Sequence, residues 1–256
     1  MANDINSKTE AFGRLLKIMD ELREKCPWDR KQTFESLRML TLEEAYELSD
    51  AILKNNPSEI KEEIGDLFLH LVFYSKIAEE LKDFDVSECL HHICEKLIRR
   101  HPHIYANVSV KNEEEVKKNW EQIKLSEGKK SVLSGVPNSL PSLIKAYRLQ
   151  EKTSQVGFDW ENKEQVWEKV AEELAEFKDE LDKNESMERK EEEFGDLLFS
   201  LVNYGRFQGI NAENALEKVN QKFSKRFQYI EKKAGEELTN MTLEEMNALW
   251  NEAKTQ

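Results

Sequence analysis

Apolar residues recur every three to four positions along most of this chain, the spacing of helices with one buried face rather than of strands. Phe12, Leu15, Leu16, Ile18, Met19 and Leu22 predict a helix over residues 10–25. Pro27, in Cys26-Pro27-Trp28-Asp29, ends it, and Trp28 reads as a plug for the following loop or as a ligand contact. Thr41-Leu42-Glu43-Glu44 has capping-box spacing, and Asn56-Pro57 marks another helix start with proline at its first position. His101-Pro102-His103 stops the helix before it. Further on, residues 143–155 predict a helix with Lys145, Arg148 and Lys152 on its polar side. Asn162 and Gln165 begin the next helix, whose stripe is Val166, Val170, Leu174, Phe177 and Leu181. After a turn near 183–186, a second stripe comprises Phe194, Leu197, Leu198, Leu201 and Val202. Thr242 opens the last helix, which runs to Lys254.

The polar positions of this central hairpin carry the candidate chemistry. Glu173 and Glu176 are followed, after a gap of sixteen residues, by Glu193 and Asp196. A helix advances about 100° per residue, so carboxylates three apart lie side by side on one flank. Antiparallel packing of the two stripes places both flanks on the same side, so that all four carboxylates meet at one level. Gathered acids repel one another unless protonated or neutralised, and all-oxygen ligation suits Mg²⁺, which commonly bridges to substrate phosphates. Spacing alone fits a solvated acidic helix face equally well, because Glu is a good surface helix former.

The motif occurs twice. Glu44, Glu47, Glu63 and Asp66 repeat it with fifteen residues in the gap, although Glu44 also suits a local role as the cap partner of Thr41. Glu62-Glu63-Ile64-Gly65-Asp66-Leu67 recurs as Glu192-Glu193-Phe194-Gly195-Asp196-Leu197, at an offset of 130, and Val72-Phe73-Tyr74 recurs as Val202-Asn203-Tyr204. Glycine in a helix interior is disfavoured by about 1 kcal/mol relative to alanine, so its recurrence predicts close packing or ligand approach. Lys96 and Arg100 are likewise mirrored by Lys222 and Arg226. The chain therefore reads as all-α, with an N-terminal helical module over 1–130, a Gly- and Pro-containing linker over 131–141, and a C-terminal module over 142–256.

Composition narrows the class. Across 256 residues the net charge is −13, which disfavours nucleic-acid polymers and anionic membrane surfaces. No apolar run approaches the roughly 18 residues of a membrane span, and the polar N-terminus lacks a signal-peptide core, so a cytoplasmic protein is expected. Three cysteines, Cys26, Cys89 and Cys94, form no disulfide framework. Cys89-Leu90-His91-His92-Ile93-Cys94 lacks the second ligand pair of a zinc site. Glu88 and His91 make only one of the two E-x-x-H motifs of a di-iron bundle.

Taken together, the doubled carboxylate motif, the E-x-G-D-L strings, CPWD, KLIRRHPHIY at 96–105, VGFDW at 156–160 and KFSKRF at 222–227 resemble the two-module MazG-type nucleoside triphosphate pyrophosphohydrolases. The resemblance spans residues 15–250. It implies four-helix-bundle modules, homodimerisation, and Mg²⁺-dependent cleavage of nucleoside triphosphates to monophosphate and pyrophosphate, with Mn²⁺ as a substitute. By motif it makes Glu173, Glu176, Glu193 and Asp196 metal ligands with Glu172 beside them, and Glu44, Glu47, Glu63 and Asp66 a second metal site. Glu173 would also help activate the attacking water. Lys222 and Arg226 would contact phosphate, and Lys152, Trp160, Trp250 and Lys254 would complete nucleotide binding. Stacking on indole tolerates any base, so loose base specificity is expected. On the residues alone, a non-catalytic acidic interaction protein or a simple cation-binding protein remains the alternative.

Overall fold

Every regular element among the described residues is helical, as the spacing predicts. The computed structural model describes residues 4–110, 112, 115, 116, 119, 120, 123, 131–183 and 185–255, so most of the charged stretch 111–130 lies outside the described residues. The chain divides into two units, residues 1–109 and 110–256. The first contains α1 (Ile5–Lys25), α2 (Phe34–Leu53), α3 (Pro57–Leu81), α4 (Val86–Arg100) and the short α5 (Pro102–Tyr105). The second contains α6 (Ser142–Ser154), α7 (Lys163–Asp182), α8 (Met187–Phe207), α9 (Ala212–Ala234) and α10 (Leu243–Ala253). No described helix is long and apolar enough to cross a membrane.

Local capping sets where these helices begin. The Asp4 side chain accepts from the amides of Asn6 and Ser7, starting α1 ahead of its apolar stripe. Thr33 and Ser36 form the capping box of α2, so Thr41 lies inside that helix and is not its cap. A start at Thr41 would leave the buried Leu37 outside the helix. The Thr41 hydroxyl instead donates to the Leu37 carbonyl or meets His70 Nδ1 at 2.8 Å and the Tyr74 hydroxyl at 2.7 Å. Asn56 caps α3 with Pro57 at the first position, and His101 ends α4.

The core of the first unit is Met19, Leu37, Val72, Phe73 and Ile77, with Phe12, Leu15, Leu16, Phe34, Leu40, Leu69 and Tyr74 packed around it. Truncating a fully buried leucine such as Leu37 to alanine costs about 2–5 kcal/mol. Trp28 does not plug its loop, being 55% exposed. Its neighbour Asp29 is buried instead, and Arg23 holds the turn through the Asp29 and Gln32 carbonyls while pairing with Glu80.

In the second unit α7 and α8 form an antiparallel hairpin, and α6 packs against α8. This third helix decides which faces are inside. Val166, Val170 and Glu173 are buried on α7, whereas Leu174 and Leu181 of the expected stripe are exposed. On α8, Leu197, Ser200 and Val202 are buried, while Phe194, Leu198 and Leu201 are exposed. A Cβ at Gly65 or Gly195 would meet open space, so neither glycine serves close packing within the chain. Residues 131–141 fold back on α6: Lys145 Nζ donates to the Asn138 carbonyl at 2.6 Å and Lys152 Nζ to that of Val132 at 3.3 Å. On the C-terminal pair, Trp250 of α10 meets Phe223 of α9 at a centroid separation of 5.1 Å, and Tyr229 donates to Glu252.

Candidate active site

Asn162 caps α7 by accepting from the Gln165 amide, and Ser186 caps α8 by accepting from that of Arg189. Their antiparallel pairing brings Glu173, Glu193 and Asp196 together, with one carboxylate oxygen of each within 4.8 Å of the others. Glu173 is buried at 5% exposure, an unusual place for a carboxylate without a partner. Lys169 supplies one: its Nζ lies 2.6 Å from Glu173 and 2.8 Å from Glu172. These two acids push the Lys169 ammonium well above its ordinary pKa.

Desolvation, then the charge of Glu176, raises the Glu193 pKa above the ordinary carboxylate value, while Arg189 opposes the shift. Glu176 is thus within electrostatic reach of the cluster without joining the group of three, and Glu172 stays exposed on Lys169.

A cavity of about 710 Å³ opens beside the acids, within the size range of small-molecule sites. Glu173, Asp196 and Lys169 line it together with the aromatic side chains Phe158, Trp160 and Phe199 and the polar Gln150, Asn203 and Arg206. Gly157, at φ +87°, turns the chain into the aromatic loop. Arg206 then ties that loop to α8 through a two-point contact with Asp159 at 3.0 and 2.5 Å.

Other expected site residues lie elsewhere. Lys152 is buried at 3% exposure and does not line this cavity, and its Nζ serves the Val132 carbonyl. Lys222, Arg226, Trp250 and Lys254 are likewise outside the cavity lining. Arg226 sits over the Trp250 ring at 5.5 Å, and Lys254 Nζ donates to Asn251. Lys169, Gln150, Asp159, Asn203 and Arg206 escaped the sequence reading. For Lys169 a signal existed, since it stands four residues before Glu173 on the same helix; Asp159 and Asn203 lie in the VGFDW and repeat strings, which by themselves assign them no role, and Gln150 and Arg206 carry no local mark.

The first unit forms a related cluster of Glu44, Glu63 and Asp66, with Glu47 outside it. Burial, and then Asp66, raise the Glu44 pKa; burial, and then Glu47, raise that of Glu63.

Comparison with known proteins bears on these paired clusters. The MazG nucleotide pyrophosphohydrolase domain matches twice, over residues 32–105 and 161–230, and each match contains one cluster. The chain belongs to this family. It is 42% identical to the nucleoside triphosphate pyrophosphohydrolase of Escherichia coli K12 over 254 residues, covering 95% of this chain and 97% of that one. It is 45% identical over 251 residues to the nucleoside triphosphate pyrophosphohydrolase/pyrophosphatase MazG of Thermotoga maritima, covering 95% of each. The two MazG repeats differ beside their acids. With Glu44 aligned on Glu173, Leu40 stands where Lys169 does, and with Glu63 aligned on Glu193, Phe73 stands where Asn203 does; both belong to the first unit's apolar packing.

Proposed function

We propose that this chain hydrolyses nucleoside triphosphates to the monophosphate and pyrophosphate, with the second unit as its principal catalytic site. The observation that carries this reading is the buried Glu173, joined by Glu193, Asp196 and Lys169 at an aromatic-walled cavity of about 710 Å³. Three carboxylate oxygens so close together are a donor set suited to a hard divalent cation, Mg²⁺ first and Mn²⁺ as its substitute. Glu173, Glu193 and Asp196 would hold it, with Glu176 and Glu172 alongside. Such a cation supplies charge neutralisation on the triphosphate and a lowered pKa for water.

The chain's own groups supply the rest. Lys169 adds positive charge where negative charge builds up on the phosphoryl oxygens. Glu173 is the carboxylate best placed to orient or deprotonate the attacking water, because burial and Lys169 fix its position. Phe158 and Trp160 offer ring faces to a base, and Arg206 holds their loop in place through Asp159.

The functional form is a homodimer. Phe194, Leu198 and Leu201 on α8, and Leu216, Val219, Phe223 and Phe227 on α9, form exposed apolar rows with helical spacing. A second copy of the chain buries such rows. Lys222, Arg226, Trp250 and Lys254 do not line the cavity of their own chain, so their expected contacts to nucleotide require the cavity of that second copy. A net charge of −13 and a small concave site suit a free nucleotide rather than a nucleic-acid polymer or a membrane surface.

The test is to incubate purified protein with a panel of ribo-, deoxy- and damaged nucleoside triphosphates, with and without Mg²⁺. Pyrophosphate and the monophosphate should appear in equal amounts and only with the cation. Release of inorganic phosphate and a diphosphate would overturn the reading, and cation binding without turnover would leave a simple cation-binding protein.

A further inference from the structure

We propose that Gln150 reads the nucleobase, accepting a hydrogen bond from an N–H group on the base edge inside the cavity of the second unit. This rests on the nucleotide reading of that cavity.

Gln150 lies on α6 at 6% exposure and lines the cavity. Its two amide ends have different fates. Nε2 donates to the Phe199 carbonyl at 2.9 Å, a tie between α6 and α8. Oε1 is buried and accepts no hydrogen bond from any described residue. Rotating the amide would set its oxygen against a carbonyl oxygen, so the bond to Phe199 determines which end is left over. Buried side-chain acceptors are nearly always satisfied, because an unsatisfied one forfeits its hydration without return. A structural role in joining two helices accounts for Nε2 but not for Oε1. A ligand N–H accounts for it once a small turn of the Gln150 side chain presents the oxygen to the cavity that the residue lines.

The surroundings suit a base. Phe158, Trp160 and Phe199 provide the ring faces of the same cavity. In the same lining on α8, the Asn203 oxygen is taken by Arg206 Nε at 3.1 Å and Nη2 at 2.9 Å, which leaves the Asn203 amide N–H groups to donate. An acceptor from α6 and a donor from α8 in one lining with three aromatic side chains suit a heterocycle, whose edge carries both N–H and lone pairs. Phosphate has no donor for Gln150, and ribose hydroxyls, which donate and accept, are distinguished from the base by the ribose 5-phosphate control. Recognition of this kind depends on the hydrogen-bonding group itself, because a ligand lacking it leaves the protein's acceptor unpaired.

The experiment measures calorimetric binding of AMP, GMP, CMP, UMP and ribose 5-phosphate at fixed Mg²⁺, for the wild-type chain and Gln150→Met. The wild type should bind at least one nucleoside monophosphate about 10-fold tighter than ribose 5-phosphate. Gln150→Met should remove most of that advantage while leaving ribose 5-phosphate affinity unchanged. A variant that keeps the wild-type preference, or weakens ribose 5-phosphate equally, overturns the proposal, as does a wild type that binds all five alike. A wild-type comparison covers the case of a poorly folded variant. The preferred monophosphate is then compared with an analogue lacking a base N–H: purine riboside 5′-monophosphate for AMP, 2-pyrimidinone riboside 5′-monophosphate for CMP, inosine and 1-methylguanosine 5′-monophosphates for GMP, or 3-methyluridine 5′-monophosphate for UMP. An analogue should bind about 10-fold more weakly, and equal binding refutes the role. Pyrophosphate release by the wild type is assayed separately, so loss of the base reading and loss of the hydrolase reading give different results.

Discussion

Lys169 and Glu173 stand one turn apart on α7, their Nζ and Oε1 atoms 2.6 Å from each other at the wall of the cavity. The pair places a fixed positive charge beside a carboxylate that is 5% exposed. On the proposed reading it would also link two roles, since the Lys169 ammonium that neutralises Glu173 would become available to a phosphate if a metal ion held the carboxylate.

Replacing Lys169 by methionine keeps most of the side chain's length and removes its charge. Turnover with saturating Mg²⁺ should fall by about 100-fold or more, the usual scale for losing one preorganised group that stabilises developing charge. Steady-state kinetics with and without the substitution measure it. Unchanged turnover with the metal present would confine Lys169 to neutralising Glu173.

The two units should respond unequally to loss of their acids. Glu193→Ala with Asp196→Ala should abolish nearly all hydrolysis, while Glu63→Ala with Asp66→Ala should change it modestly. The reason is the company each cluster keeps: Lys169 and Asn203 line the second unit's cavity, whereas Leu40 and Phe73 pack into the first unit's core. Circular dichroism must show both double variants folded. Equal losses, or the reverse order, would contradict this division of labour.

Cation binding should depend on pH in a definite direction. Glu44, Glu63 and Glu193 have pKa values raised above 4.5 in the folded protein. The folded state therefore holds more protons than the unfolded one between the unfolded and folded pKa values. Their contribution to stability is fully present below the unfolded pKa and is lost as pH rises through the folded values. A divalent cation offsets that loss at neutral pH but must displace protons at acid pH. Saturating Mg²⁺ should raise the melting temperature at about pH 7.5 by on the order of 5 °C, and by clearly less at about pH 5. An equal shift at both pH values would count against carboxylate binding.

The exposed row on α8 offers a test of assembly. Light scattering of the wild type should give twice 30.1 kDa, and Leu198→Glu with Leu201→Glu should give a species near 30.1 kDa. Both leucines are at least 39% exposed in the single chain, so the variant should still fold. A wild type that is monomeric at micromolar concentration would remove the dimer from the proposal.

What the sequence determined by itself was local and periodic. The all-helical class, the doubled acidic motif, the caps at Asn56, Asn162 and Thr242, and the turn that pairs α7 with α8 all follow from spacing and capping chemistry within a few residues. Tertiary structure decided the rotation of each helix. Leu174 and Glu173 are adjacent in a sequence that suggests burying the leucine, yet the carboxylate is buried and the leucine exposed, with α6 packed against the hairpin. The same packing brought Gln150 from α6 and Arg206 from α8, neither of which carries a local signal, to one cavity with Asp159 of the VGFDW loop. It also left Lys152, Lys222 and Trp250 outside that cavity. Periodicity reports which residues share a helix face, but only the neighbouring helices determine which face is covered and which lines a cavity.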